Sequence, residues 1–279
     1  MTQHVVISGL AQGMGRETAL LLASQGVAVA GFDMDAEGLT SLAAELDKYG
    51  VSHHLVPLNI TDRPGVRAFR DEVLEKFGHV DTVVSNVGVP FFGPFEEVDL
   101  EAALRAFEIN VIGAATLFQS FIPSMRERRS GKLVAVASLV GRIPFPFESI
   151  YSSTKFAVEG MVQSFKFELA PFGIDVALIE PAQVSTGFAA KSLKLPDPTS
   201  PYYERAMRFI ERDKELVKSA TTPQQAAEKF VEVILSKKPA LFNQVDTMSR
   251  LFFFLNQHLP TRMRDAILVR HMNIKEPRA

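Results

Sequence analysis

The sequence predicts an α/β fold in which a doubly wound parallel sheet carries helices on both faces. Short β-branched segments alternate with longer amphipathic segments over the first 180 residues, and the first short segment, residues 3–8, has the continuous apolar centre Val5-Val6-Ile7. Such alternation is typical of β-α-β units, whose helices cover a parallel sheet. A nearly continuous apolar run is typical of a strand that is buried on both faces.

Each element follows from the local pattern. The predicted strands are residues 3–8, 27–32, 53–57, 81–85, 132–137 and 175–180. Helical periodicity predicts helices over residues 13–24, 36–48, 65–77, 101–128 (as two helices), 149–172 and 223–237. No linker divides the chain, so residues 1–279 are predicted to form one domain. Within it we expect an exposed substrate loop with a short helix at 183–222 and a helical tail, interrupted at Pro260, at 248–279.

Composition narrows the range of functions. The chain has 279 residues, 30 basic and 32 acidic, which gives a formal net charge of −2. This balance offers no basic surface for nucleic acid, so no nucleic-acid partner is expected. Cysteine is absent and the six histidines show no metal-ligand spacing, so we expect no metal site. Because neither a signal segment nor an apolar span is visible, a cytoplasmic protein is expected.

A glycine-rich turn joins the first strand to the first helix. Gly9, Gly13 and Gly15 follow a G-x-x-x-G-x-G spacing, with Gln12 and Met14 between them. Glycine permits a tight turn and lets backbone amides approach a pyrophosphate at the positive end of a helix. The same residues could also form an ordinary turn, because the spacing differs from the common G-x-G-x-x-G pattern.

Asp33 ends the second strand, about 20 residues after the glycines. A carboxylate there is suited to accept hydrogen bonds from the ribose hydroxyls of an adenosine and would repel a 2′-phosphate. Met34 and Gln12 bring no positive charge to the same region. The predicted cofactor is therefore NAD rather than NADP. Asp33 could alternatively, or in addition, cap the helix that begins near Ala36.

The candidate catalytic residues are Tyr151, Lys155 and Ser138. Tyr151 and Lys155 are four residues apart, so they share one face of a helix, although a solvated face would show the same spacing. Ser138 ends a predicted strand, where parallel α/β sheets bind ligands. Alcohol oxidation needs a base, and a nearby ammonium together with an oxidised nicotinamide should lower the tyrosine pKa toward the working pH. Ser138 would then polarise the substrate oxygen.

The sequence shows first the glycine turn, then the acidic residue at the end of the second strand, and then the serine, tyrosine and lysine set. These motifs, in this order along the chain, resemble those of the short-chain dehydrogenase/reductase family. The resemblance covers about residues 3–190 and extends loosely to 240. It implies a Rossmann-type doubly wound sheet of about seven strands in a single domain with a C-terminal helical elaboration. Residues 156–160 and 171–181 are most similar to the 17β-hydroxysteroid and retinol dehydrogenase branch, which acts on bulky lipophilic alcohols and ketones.

The resemblance also assigns roles to further residues. Asn110 resembles the family asparagine that holds a water in the proton relay to lysine, and Lys155 would also hold the nicotinamide ribose. The segment Ser85-Asn86-Val87-Gly88 resembles the family's Asn-Asn-Ala-Gly along the cofactor, and 181–186 resembles the segment that contacts the carboxamide. Asn59 replaces the usual aspartate near adenine, where its carbonyl could still accept a hydrogen bond. Beyond the glycine turn and Asp33, the cofactor residues so implied are Asn59, Ile60, Asn86, Val87, Gly88, Tyr151, Lys155, Pro181, Val184 and Thr186.

Phenylalanines follow several predicted strands, which suggests an apolar substrate pocket, although aromatics under loops also fill cores. The predicted lining residues are Phe91, Phe92, Phe145, Phe147 and Phe188. The tail segment 251–255, flanked by arginines, has three interpretations: a lid, a membrane-surface contact, or packing against the body or a partner subunit. Lid or packing is favoured over membrane contact.

The leading interpretation is an NAD-dependent oxidoreductase for a lipophilic secondary alcohol or ketone. One alternative is an extended-type epimerase or dehydratase, which is disfavoured because only about 100 residues follow the sixth strand. Another is a redox sensor that binds the dinucleotide without turnover, although such proteins typically lack the tyrosine. By family analogy, the helices predicted at 101–128 and 149–172 would pair subunits as a homodimer or homotetramer.

Overall fold

A computed structural model of the chain describes residues 3–188 and 196–275. The parts of the predicted substrate loop at 189–195 and of the predicted tail at 276–279 lie outside the described residues, as do residues 1–2. Within the described ranges, no helix is both long enough and apolar enough to cross a membrane.

Seven parallel strands form one sheet in the order β3-β2-β1-β4-β5-β6-β7. The strands are β1 His4–Ser8, β2 Ala28–Asp33, β3 His53–Pro57, β4 Thr82–Ser85, β5 Gly131–Val136, β6 Ile174–Glu180 and β7 Phe242–Gln244. The order reverses between β1 and β4, which opens a crevice at the carboxyl ends of the strands. The predicted doubly wound sheet is confirmed.

Ten α-helices connect and cover the strands in the described ranges. They are α1 Gly13–Ser24, α2 Ala36–Leu46, α3 Arg63–Phe77, α4 Leu100–Phe107, α5 Ala114–Arg128, α6 Ser149–Leu169, α7 Tyr203–Lys218, α8 Pro223–Leu235, α9 Thr247–His258 and α10 Thr261–His271. A π-helical turn, Glu108–Gly113, joins α4 to α5, so the predicted pair of helices is nearly continuous. Helix α7 has 16 residues, so the short helix predicted in the loop at 183–222 was wrong in length.

The core lies in two layers because side chains alternate along each strand. In β1, Val6 packs with Phe69 of α3 and Phe118 of α5, whereas Val5 and Ile7 contribute to the layer that includes α1, α2 and α8. All five side chains are fully buried or nearly so. Truncating Phe69 or Phe118 to alanine should cost about 3–5 kcal/mol, because each ring fills the layer on one face of the sheet.

Candidate active site

The glycine turn runs from the end of β1 into α1. The Gly9 amide donates to the carbonyl of Phe32 at 2.8 Å, and Gly9 and Gly13 have positive φ angles of 72° and 58°. A side chain at Gly15 would overlap the Gly9 carbonyl, so this glycine permits close packing of the helix on the turn. Gln12, which precedes α1, offers its helix no side-chain acceptor. The first amides of α1 therefore suit an anionic ligand such as a pyrophosphate.

A cleft of about 380 Å³ opens beside this turn, at the carboxyl ends of the strands. Almost all of the predicted cofactor residues line it. They are Gly9, Gln12, Gly13, Met14, Asp33, Asn59, Ile60, Asn86, Val87, Gly88, Tyr151, Lys155, Pro181, Val184 and Thr186. Gly15 is the exception, because it is buried between the turn and α1. Residues from nearly the full length of the first 190 positions thus meet in one crevice.

Asp33 braces the glycine turn. Its carboxylate accepts hydrogen bonds from the Ala11 amide and the Asp35 amide, each at 3.1 Å. Asp35, and not Asp33, caps α2 by accepting from the Gly38 amide at 2.9 Å. The alternative role of Asp33 as a helix cap is therefore wrong, and its carboxylate remains at the cleft wall.

Arg16 is the basic residue that directly follows the glycine turn, and its guanidinium already has partners within the protein. The guanidinium of Arg16 donates to the carbonyls of Ala11 and Gly38 and forms an ion pair with Glu45 at 2.8 Å. Met34, beside Asp33, is exposed and uncharged. This end of the cleft therefore presents the Asp33 carboxylate, while the Arg16 guanidinium is bonded within the protein.

Two asparagines differ in how they serve the cleft. Asn86 donates to the carbonyls of Ser8 at 3.1 Å and Gly9 at 2.8 Å, so it ties β4 to the turn as the resemblance implied. The amide oxygen of Asn59 accepts from the amide and the hydroxyl of Thr61 at 3.0 and 2.9 Å. Asn59 also lines the cleft, and its expected contact with an adenine amino group stays a prediction.

Ser138, Tyr151 and Lys155 meet at the other end of the cleft. Ser138 follows β5 and lines the cleft together with Tyr151 and Lys155. The Lys155 ammonium lies 5.7 Å from the centre of the Tyr151 ring and donates to the Val136 carbonyl at 2.9 Å. Helix α6 begins at Ser149, so Tyr151 and Lys155 lie on consecutive turns of its first half. The three predicted side chains are therefore brought together.

Asn110 sits in the π-helical turn and is almost fully buried. Its oxygen accepts from the Val89 amide at 2.8 Å, and its nitrogen donates to the Val89 carbonyl and the Thr154 hydroxyl. It does not line the cleft, although a side chain added at Gly88 would lie 3.5 Å from both the Asn110 oxygen and the Lys155 nitrogen. The protein contacts of Asn110 thus hold the segment after β4 beside α6, close to Lys155.

Burial has the largest effect on the pKa of Tyr151. Burial raises the pKa of the Tyr151 hydroxyl, Glu148 raises it further, and the Ser138 hydrogen bond opposes both effects. The pKa of Tyr151 is therefore raised in the protein chain by itself. The expected lowering also depends on the positive charge of an oxidised nicotinamide, and it stays a prediction. Burial also lowers the pKa of Lys155 to about 8, against an opposing effect of Glu159.

The predicted substrate-lining phenylalanines occupy different places. Phe188 lines the cleft, with its ring centre 5.9 Å from that of Tyr151. Phe91 packs with Ile150 and α4, whereas Phe92, Phe145 and Phe147 pack in a cluster with Phe209 of α7. These four are absent from the wall of the cleft, because the loops fold their aromatic rings against α4, α7 and the tail.

The tail packs against the loop that carries Ser138. Phe252 and Phe253 of α9 are buried against Leu139 and Ile143, which supports the packing interpretation for these two residues. Asp246 caps α9 and also accepts from the Ala182 amide at 3.1 Å, so the tail braces the segment that follows β6. The sequence analysis missed this role of Asp246, since 64 residues separate it from its partner.

Several residues of the cleft wall were also missed. They are Leu58, Val89, Ile109, Val136 and Ala137. Four of the five lie at or just beyond the carboxyl end of a strand, which is the signal that could have found them.

One cluster of possible ligands was not predicted. His4, His79 and Asp81 place one ligand atom each within 4.8 Å of the others, at the edge of the sheet opposite the cleft. The Asp81 carboxylate is already bonded to Arg128 and to the His4 amide, both at 2.9 Å. The expectation of no metal site rested on sequence spacing, which cannot reveal residues that meet only across strands.

Comparisons with known proteins agree with this geometry. The family model described as "short chain dehydrogenase" matches residues 3–195. Human 17-beta-hydroxysteroid dehydrogenase type 1 is 32% identical over 249 residues, covering 85% of this chain and 75% of the relative. Retinol dehydrogenase 8 from Bos taurus is 31% identical over 257 residues, covering 87% and 81% respectively.

Among solved structures, a short-chain dehydrogenase from Streptomyces avermitilis superimposes with a TM-score of 0.80 at 28% identity, covering 98% of this chain and 97% of that one. Sequence, fold and arrangement of the cleft therefore agree. The chain belongs to the short-chain dehydrogenase family of oxidoreductases, which bind nicotinamide dinucleotides.

Proposed function

We propose that the protein transfers hydride between NAD(H) and a bulky lipophilic secondary alcohol or ketone, with Tyr151 as the general acid and base. The observation that carries the proposal is the meeting of Ser138, Tyr151 and Lys155 at one end of a cleft whose other end is the glycine turn. A bound nicotinamide would supply or accept the hydride. The chain's own residues would bind the substrate oxygen and move its proton.

The raised pKa of Tyr151 suits the direction of reduction. A protonated hydroxyl can donate its proton to a carbonyl oxygen as that oxygen gains negative charge, while the Ser138 hydroxyl donates a second hydrogen bond to it. In oxidation the same tyrosine must lose its proton first. The Lys155 ammonium, together with the positive charge of an oxidised nicotinamide, would then stabilise the phenolate.

The substrate class rests on the relatives and on the wall of the cleft. Two relatives at 31–32% identity are named for steroid and retinol substrates. Phe188 stands next to Tyr151, and Val89 and Ile109 line the same cleft. An apolar substrate would release ordered water from these surfaces on binding.

The proposal is tested by following nicotinamide absorbance with NAD⁺ and five alcohols: a steroid 17-alcohol, a steroid 3-alcohol, retinol, an aryl secondary alcohol and a short sugar alcohol. Turnover of at least one bulky apolar alcohol is expected. Turnover of the sugar alcohol alone would overturn the apolar-substrate proposal.

We propose NAD as the preferred cofactor because Asp33 borders the cleft and Arg16 is engaged elsewhere. NADH should bind at least about tenfold more tightly than NADPH, since like charges about 4 Å apart repel by roughly 1–4 kcal/mol.

Asp33→Ser should narrow the ratio of the NADPH and NADH dissociation constants, as measured by nucleotide fluorescence titration. Asp35→Ser is the matched control: serine can still cap α2, so the fold should keep its stability, and the ratio should remain unchanged. Tighter binding of NADPH by the natural protein would refute the preference.

We propose that α4 and α6 pair subunits in a homodimer or homotetramer. Both helices and the π-helical turn expose large apolar side chains: Leu100, Leu104, Ile112, Phe156 and Phe167. Burying such a patch against a second copy would remove it from water.

Light scattering should give two or four times 30.8 kDa, and Phe156→Glu should reduce the mass of the particle in solution. Phe254→Glu, at an exposed position of α9, should not; an equal effect of both variants would argue against this interface.

A further inference from the structure

Behind Lys155 lies a pair of buried carboxyl groups that the proposed reaction does not use. Glu159 is one helical turn after Lys155 on α6, and Glu180 ends β6. Their exposed fractions are 2% and 0%, and their carboxyl groups are hydrogen-bonded to each other. Two carboxylates in such contact cannot both be ionised, so one proton is shared between them.

The partners of each carboxyl group show which one holds the proton. Glu180 accepts from Arg142 at 3.2 Å and from Gln244 at 2.6 Å, so its charge is compensated. The Glu159 atom Oε1 is buried and has no hydrogen-bond partner in the described part of the chain. Because a charged Glu159 would be desolvated and would face the Glu180 carboxylate, the structure favours a neutral Glu159 that donates to an ionised Glu180.

The Glu159–Glu180 pair packs against the loop that carries Ser138. The turn Leu139–Gly141 follows Ser138 directly, and a side chain added at Gly141 would lie 2.6 Å from Oε1 of Glu159. The Arg142 guanidinium stacks between the rings of Phe242 and Phe253, 4.6 and 4.4 Å from their centres. Strand β7 and the tail helix α9 therefore hold the arginine whose charge opposes the rise that burial causes in the Glu180 pKa.

We propose that the Glu159–Glu180 pair stores one proton behind Lys155 and that Glu159 is a positioning residue, which controls the charge of the Lys155 ammonium through that proton. The charged groups that bear on Glu159 are Glu180 from β6, Arg142 after the Ser138 turn, and Lys155 from α6 itself. The inference rests on the proposed function only in that the reaction needs a charged Lys155.

The sign of the effect follows from these contacts. Burial and the Glu180 charge raise the pKa of Glu159 to about 8, and burial lowers the pKa of Lys155 to about 8. As the pH rises through this range, loss of the Glu159 proton creates a negative charge one turn from Lys155. That charge holds the ammonium in its protonated form to a higher pH than burial alone would allow.

Two substitutions should move the Lys155 pKa in opposite directions. Glu159→Gln removes the ionisable group, so Lys155 should lose its proton at a pH lower by about one unit or more. Glu180→Gln removes the carboxylate that opposes ionisation of Glu159 and leaves Arg142 to favour it, so Lys155 should keep its proton to a higher pH. Glu168→Gln, at an exposed site on the same helix, is the matched control and should change nothing.

The measurement is carbon-13 NMR of the full chain labelled at the ε-carbons of lysine, titrated with base, with Lys155→Met to assign the resonance. Opposite shifts for Glu159→Gln and Glu180→Gln support the proposal, whereas shifts in the same direction, or none, overturn it. If Glu180→Gln fails to fold, the comparison of Glu159→Gln with Glu168→Gln decides. The basic limb of the kcat/KM profile should shift with the lysine resonance. Absence of turnover would refute the proposed function alone, since the NMR titration needs no catalysis.

Discussion

Replacing Tyr151 with phenylalanine should lower kcat by about 10²–10⁴-fold, because positioned general acid–base catalysis contributes a factor of that size. The substitution keeps the ring and its contact with Phe188, and it removes only the hydroxyl from the cleft that Tyr151 shares with Ser138. Initial rates with NAD⁺ and the best alcohol of the panel, followed through nicotinamide absorbance, measure the loss.

The control separates loss of chemistry from loss of binding. Tyr49→Phe changes an exposed tyrosine outside the cleft and should leave kcat unchanged. NADH affinity of Tyr151→Phe should fall by less than about tenfold, since one neutral hydrogen bond is worth about 1 kcal/mol. A variant that retains more than a tenth of the natural kcat would exclude Tyr151 as the essential acid and base.

Replacing Gly15 with alanine should weaken NADH binding by more than about tenfold and destabilise the fold. The added methyl group would overlap the Gly9 carbonyl and lie 2.8 Å from the Asn86 amide nitrogen, so α1 and the glycine turn must move apart. Overpacking of this kind typically costs about 1–3 kcal/mol, and here it displaces the amides that face the cleft.

Gly160→Ala is the matched control, because that glycine lies inside α6 with open space around it. Alanine there should raise the free energy of unfolding by up to about 1 kcal/mol and leave NADH affinity unchanged. Urea unfolding followed by circular dichroism, with NADH fluorescence titration, measures both effects. Equal NADH affinity in the two variants would show that the turn after β1 does not hold the cofactor.

The residues that sequence reasoning placed correctly share a physical reason. Strand and helix periodicities are local, and the carboxyl ends of parallel strands must meet at one edge of the sheet. The turn at Gly9, the carboxylate at Asp33 and the hydroxyl at Ser138 all follow strands, so their approach to one cleft was predictable. The four-residue spacing of Tyr151 and Lys155 then required only that α6 begin before Tyr151.

The aromatic residues show where that reasoning ends. Phe92, Phe145 and Phe147 follow strands as Ser138 does, yet they pack with Phe209 of α7 rather than along the cleft. Their direction depends on the path of each loop and on a helix more than 50 residues away. The three-residue strand β7 was not predicted for a similar reason: it is too short to show a period, and pairing with β6 defines it.

The sequence by itself determined the class of fold, the glycine turn after β1, the position of Asp33 and the Ser138–Tyr151–Lys155 set, because each depends on local periodicity and on the common edge of a parallel sheet. Only the tertiary structure decided the brace from Asp246 to Ala182 and the Glu159–Glu180 pair. Those contacts depend on the directions of side chains within a densely packed interior, which spacing along the chain does not specify.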